Sequence, residues 1–231
     1  MTKTQVIALL KENRNERGIA NWKKLGAKSH QLKSFGIGLT QLRKLAKQIG
    51  RDHELAQQLW KSDIYDAKVI GLLIDDPKQL TREQAEEQVD ELQAGLLAHV
   101  FASCDATLAK SPFAFDLARD WMESPDDIRR QCGYTLLYEL SKKNPKGMDD
   151  AYLLDRIAHI LNAIDGEETL VGAAMAGALM GIGKRNKQLN KAAIQAAKTI
   201  GPVSCGDDNN CEPFDVLKHL TSDYLKRKFA K

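Results

Sequence analysis

The sequence predicts an all-α protein built as a stack of paired helices. Three observations carry that prediction. Apolar residues recur at three- and four-residue spacing along nearly the whole chain, and no stretch alternates apolar and polar for the length of a strand. Only six prolines and sixteen glycines punctuate the 231 residues. The periodic segments number about twelve, more than one helical bundle ordinarily holds.

In chain order, Val6, Leu9 and Leu10 mark a short first helix, and Ile19, Trp22 and Leu25 a second. Ser34-Phe35-Gly36-Ile37-Gly38 reads as a turn. Thr40 is placed to cap a helix over residues 41–49 that stops at Gly50. Helices follow over residues 52–60 and 64–75, the latter ended by Pro77. Thr81-Arg82-Glu83-Gln84 starts the next. Residues 93–109 read as one long helix holding the apolar run Gly95-Leu96-Leu97-Ala98-His99-Val100 and ending near Asp105, with a boundary at Pro112.

Residues 113–122 form a short helix. Ser124-Pro125-Asp126-Asp127 is a strong start signal, with Ser as cap and Pro at the first helical position, for a helix to Lys142. Further helices are predicted over residues 149–162, 167–182 and 189–200. A polar loop spans 201–213, and a terminal helix 214–229. No stretch reads as a linker, so residues 1–231 are read as a single domain. Its expected architecture is a right-handed α-α superhelix of the HEAT or armadillo kind; an irregular all-α globule is the alternative. No strict repeat is present. Such a stack curves and offers a concave face for binding.

Composition bounds the function. Hydrophobic residues make up 43% and charged residues 28%, as in an ordinary folded protein. A net charge of +3 means that a nucleic-acid site must come from clustering rather than bulk charge. No apolar run approaches a membrane span, and the opening residues do not read as a signal peptide; the expected location is the cytoplasm. Cys104 and Cys132 lie on apolar helical faces and read as small buried hydrophobes. Cys205 and Cys211 flank acids, but their spacing fits no common zinc or calcium pattern. No metal and no cofactor is expected. The five histidines show no pairing in the sequence.

Four features could carry chemistry. Asp105 is a lone carboxylate at the end of an apolar run, either a helix cap or a group facing a cleft. Arg43, Lys44 and Lys47 share one helix. Arg129 and Arg130 sit in the first turn of theirs, where the helix dipole disfavours cations unless an anion is at hand. Lys184, Arg185 and Lys187 cluster on a turn, and Lys226-Arg227-Lys228 closes the chain. The stretch 170–181 is largely Gly and Ala, suited either to close helix packing or to a shallow cleft wall.

Several stretches together resemble the bacterial DNA alkylation repair enzymes, alkylpurine DNA glycosylases built from HEAT-like repeats. They are Phe35-Gly36-Ile37 through Leu42-Arg43-Lys44-Leu45-Ala46-Lys47; Asp52-His53-Glu54-Leu55-Ala56 with Leu59-Trp60; Asp66-Ala67-Lys68 with Leu73-Ile74; Ser103-Cys104-Asp105; Pro112-Phe113-Ala114; Arg129-Arg130; and Ile182-Gly183-Lys184-Arg185-Asn186. The resemblance implies a monomer that binds double-stranded DNA, alkylated or otherwise damaged, in a positively charged concave cleft. It implies release of N3- and N7-alkylated purines by N-glycosidic hydrolysis. Asp105 matches the catalytic aspartate. Phe101 and Gly177 stand where two substrate-contacting tryptophans are expected, and Met180 where a basic residue is expected. Arg129, Arg130, Lys184, Arg185, Arg43 and Lys47 are the expected phosphate contacts. Two alternatives stay open: binding of damaged or branched DNA without excision, and a HEAT-type scaffold for protein partners.

Overall fold

The computed structural model describes residues 1–26, 32–92, 96–103, 105–143, 145–206 and 212–230, with Leu96 by its backbone alone. Among these residues there are fourteen α-helices and no strand, only two isolated bridges. No helix is long and apolar enough to cross a membrane. The chain divides into two compact units, Met1–Ala114 and Phe115–Lys231. The division falls two residues after Pro112, which the sequence reads only as the end of a helix within a single domain.

The first unit holds α1 (Lys3–Glu12), α2 (Glu16–Lys24), α3 (Leu39–Ile49), α4 (His53–Trp60), α5 (Tyr65–Ile74), α6 (Arg82–Asp90) and α7 (Leu96–Ala102). Its centre is α5, which packs against α1, α3, α4 and α7. That follows from its sequence: Ala67, Val69, Ile70, Leu72 and Ile74 surround the helix and all are buried. Capping boxes start α1 at Thr2 with Gln5 and α6 at Thr81 with Gln84.

The second unit holds α8 (Ala114–Met122), α9 (Asp127–Ser141), α10 (Asp150–Ala163), α11 (Thr169–Gly183), α12 (Lys187–Ile200), α13 (Val216–Leu220) and α14 (Asp223–Ala230). Here α11 is the centre, packed on α9, α10, α12 and α13. Its small residues permit this. A Cβ on Gly181 would lie 2.6 Å from Ser141 Oγ and 2.7 Å from Tyr138 Cδ2, so these α9 side chains lie directly against the α11 backbone there. At Gly177 a Cβ would meet nothing within 4 Å. Close packing is therefore the work of Gly181 and of Gly183, where a Cβ would lie 2.7 Å from Leu220 and 2.8 Å from Ala193, and Gly177 has open space beside it.

Four sequence expectations are corrected. The helix expected from Gln41 starts at Leu39 with Gly38 as cap, so Thr40 lies inside its first turn. The helix at 124 starts two residues later than Pro125 allows: Asp126 is the cap and accepts from Arg129 N, while Ser124 Oγ accepts from Asp126 N. The long helix over 93–109 is interrupted. α7 ends at Ala102, and after a turn a short 3-10 segment spans Leu108–Lys110. The terminal helix is two, because Asp215 caps α13 and the chain turns at Thr221 before α14.

Candidate functional site

The placement of Arg43 begins with a buried carboxylate. Asp66, in the first turn of α5, is fully buried and accepts from Ser34 Oγ at 2.8 Å, Phe35 N at 2.8 Å and Ile37 N at 3.0 Å. Three donors satisfy the charge that burial would otherwise penalise. They also fix the Phe35-Gly36-Ile37 turn from which α3 departs, and α3 carries Arg43 and, one turn on, the exposed Lys47.

Asp105 lies beyond the end of α7. It is the single non-glycine among the described residues with positive φ, at 72°. Its side chain is 72% exposed, and Oδ2 lies 3.2 Å from Arg43 Nε. Lys110 Nζ donates to its backbone carbonyl at 2.6 Å. Asp105 is thus not a helix cap; its carboxylate faces solvent beside a guanidinium.

The turn is anchored on both sides. Upstream, Ser103 Oγ donates to His99 O at 2.6 Å. Downstream, Thr107 N donates to Leu72 O at 3.0 Å and Thr107 Oγ1 to Asp75 O at 2.8 Å; Arg51 Nη1 also donates to Asp75 O. The Asp75 carboxylate is buried beneath this point and takes His53 Nδ1 at 2.7 Å, Gln57 Nε2 at 3.0 Å and Asp76 N at 2.7 Å. Burial pushes the Asp75 carboxyl above its ordinary range, partly offset by the bond from His53. The sequence does not reveal this His53–Asp75 pair: its members are polar residues at the ends of different helices, with no shared spacing.

Phe101 is corrected from a substrate contact to a core residue. It is fully buried, with its ring centroid 6.1 Å from that of Trp60. The apolar face of α7 turns it inward. Trp60 is core too, its indole N–H donating to Glu91 Oε2 at 2.5 Å, and so is Trp121; Trp22 is half-buried against Tyr65.

In the second unit the two first-turn arginines differ. Arg130, expected as a phosphate contact, ties its helix to neighbouring acids. Its Nε and Nη2 reach Glu167 Oε2 at 3.1 and 2.8 Å, Nη2 reaches Asp127 Oδ1 at 2.5 Å, and Nη1 reaches Ser124 O at 2.9 Å. The Glu167 bond chiefly holds its guanidinium more basic still. This explains a cation at a helix start: acids in and near the first turn balance it. Arg129 is half-buried one residue earlier.

Arg185 donates to Met148 O at 2.7 Å with Nε 3.9 Å from Asp150 Oδ1, while Asn186 caps α12 and donates to Asp150 Oδ2 at 2.7 Å. Lys184 ends α11, half-buried, with no carboxylate partner among the described residues. Cys132 is buried, which pushes its thiol up. Cys104, and residues 207–211 of the Cys205–Cys211 loop, lie outside the described residues. Among the described residues no three His, Cys, Asp or Glu side chains gather where a metal could sit.

Comparison with known proteins completes the picture. The chain is similar to uncharacterized proteins of Listeria innocua serovar 6a and Listeria monocytogenes serovar 1/2a, each 27% identical over 196 residues, covering 80% of this chain and 81% of the relative. A solved structure superposes with a TM-score of 0.84 at 23% identity, over 99% of this chain and 95% of the other. It is from a family related to the HEAT-like repeat DNA glycosylases, with affinity for branched DNA structures. The fold is therefore the all-α HEAT-like repeat solenoid. The family model described as DNA alkylation repair enzyme matches residues 6–205, and the chain belongs to that family.

Proposed function

We propose that the protein binds damaged DNA and releases N3- or N7-alkylated purines, with Asp105 as the catalytic carboxylate. The observation that carries the proposal is an exposed Asp105 carboxylate, 3.2 Å from Arg43, on a left-handed turn; the resemblance read from the sequence matches this residue to the family's aspartate. An alkylated purine carries positive charge, so the bond from its ring nitrogen to C1′ breaks with the electron pair going to the base. The deoxyribose left behind is oxocarbenium-like. A carboxylate beside it stabilises that charge and orients a water, which adds to C1′ and gives up its proton. Arg43 holds one carboxylate oxygen, and Lys47 is exposed one turn along the same helix, both cations beside the place a DNA phosphate would take.

A second reading is favoured by one specific observation. Phe101 is in the core and Gly177 is bare, so neither supplies an aromatic face to a lesion. A protein of this kind could bind damaged or branched DNA without excising a base, as the structural relative's affinity suggests.

Release of methylated purines from alkylated duplex DNA tests both. Under the first reading, Asp105→Asn lowers release by about 100-fold or more and leaves DNA affinity unchanged. Under the second, the wild type releases none yet binds branched DNA with a steep salt dependence.

A further inference from the structure

Three lysines from three helices meet at one end of the second unit. Lys142 follows the last residue of α9, Lys184 follows the last residue of α11, and Lys228 lies on α14. The bare backbone at Gly181, against Tyr138 and Ser141, brings the first two together. Lys228 Nζ donates to Lys184 O at 2.6 Å, and Lys142 Nζ lies 3.8 Å from the Tyr138 ring centroid. Glu139 is the carboxylate on this patch: it reaches Lys142 at 3.0 Å and leaves the charges of Lys184 and Lys228 without an ion pair among the described residues. Burial, and secondarily the charge of Lys142, pull the Lys184 ammonium below its ordinary value. A like charge beside a half-buried cation is unfavourable until an anion arrives.

The helix ends account for part of this. Carbonyls at the ends of α9 and α11 attract cations. They would be served by exposed lysines pointing into water, and they do not require a half-buried one.

We propose that Lys142, Lys184 and Lys228 form a single binding site for a phosphate group of bound DNA. The inference rests on the DNA-binding reading above and adds to it a site in the second unit, built partly by the last helix. Lys184 is the centre, Lys142 is held in place by Tyr138, and Lys228 closes the third side. A phosphate oxygen accepts readily from ammonium groups, and binding offsets the burial of Lys184 and its repulsion by Lys142.

Two measurements test it. In the first, inorganic tripolyphosphate is titrated against the full chain, and the lysine side-chain NMR signals are followed. The three lysines are expected to respond together with one affinity, and Lys184→Met to remove the response of the other two. Independent responses, or none, overturn the site. In the second, the salt dependence of duplex DNA binding is compared between wild type and the Lys142→Met/Lys184→Met/Lys228→Met variant. The slope of log affinity against log salt is expected to flatten by about 0.9, the value for one lost phosphate contact. The corresponding triple arginine variant is expected to keep the wild-type slope, which separates charge from fold. A triple methionine variant with the wild-type slope overturns DNA as the occupant. If the wild type shows no salt-sensitive DNA binding, the functional reading above fails, and the tripolyphosphate titration still decides the site.

Discussion

Asp66 and Asp105 lie in the same unit and have opposite lives. Asp66 is fully buried, sits in a regular helix and accepts three hydrogen bonds. Asp105 is 72% exposed, sits in a left-handed turn and pairs with Arg43. The first carboxylate is used up in holding a turn. The second is held out on a strained backbone with capacity to spare. What separates the two acids is the number of donors already spent on each.

The largest expected effect falls on Asp66. Asp66→Ala orphans the amides of Phe35 and Ile37 and the Ser34 hydroxyl, and is expected to cost about 3 kcal/mol or more of stability. Asp105→Ala, which removes a single exposed ion pair, is expected to cost under about 1 kcal/mol. Denaturant unfolding of the two variants checks the contrast, and equal losses would mean that Asp105 also holds the fold.

The same contrast recurs between two glycines of α11. Gly181→Ala forces a methyl into Ser141 and Tyr138 and is expected to cost about 2 kcal/mol. Gly177→Ala meets open space in a helix interior and is expected to gain about 1 kcal/mol. Melting temperatures should move in opposite directions.

How much of this was legible in the sequence depends on the range of the cause. Helix identity follows from local periodicity, and so the elements lie close to where the pattern puts them. Caps are less legible: Thr40 and Ser124 are good cap residues, but Gly38 and Asp126 take the role, because the Asp66 anchor and the Asp126 side chain set where the backbone first turns. Asp105 is recognisable as an isolated acid after an apolar run, yet its left-handed turn depends on anchors as distant as Leu72 and Asp75. Arg130 looks available for phosphate because Glu167, its partner, is 37 positions away. Phe101 looks available for a substrate because an apolar helix has no outward marker that says which aromatic is buried.

A third test concerns a carboxylate between the two extremes. Asp75 is buried, and its folded-state pKa is raised above the ordinary 3.8. A raised carboxyl binds more protons folded than unfolded, so its contribution to stability is fully present below the ordinary carboxylate range. That contribution is lost as pH rises through the folded value. Stability should therefore decline across the window just above pH 3.8, and Asp75→Asn should flatten that part of the profile. A profile that Asp75→Asn leaves unaltered would show that the His53 bond, not burial, governs the group.

The smallest effect is the most diagnostic, because it reverses sign between the two aspartates. At Asp66 the backbone is helical, so Asp66→Gly should be less stable than Asp66→Ala by about 0.5–1 kcal/mol. At Asp105, with φ at 72°, any Cβ is strained, and Asp105→Gly should be more stable than Asp105→Ala by about 1 kcal/mol. Neither Asp105 variant retains the carboxylate, so both should release no methylated purine while differing in melting temperature. Such a pair separates the cost of the turn from the chemistry of the side chain. A residue that strains the backbone, contributes little to stability and is required for release is one kept for its charge. If glycine proves no better than alanine at 105, the turn is relaxed in solution, and the argument from strain to function is lost.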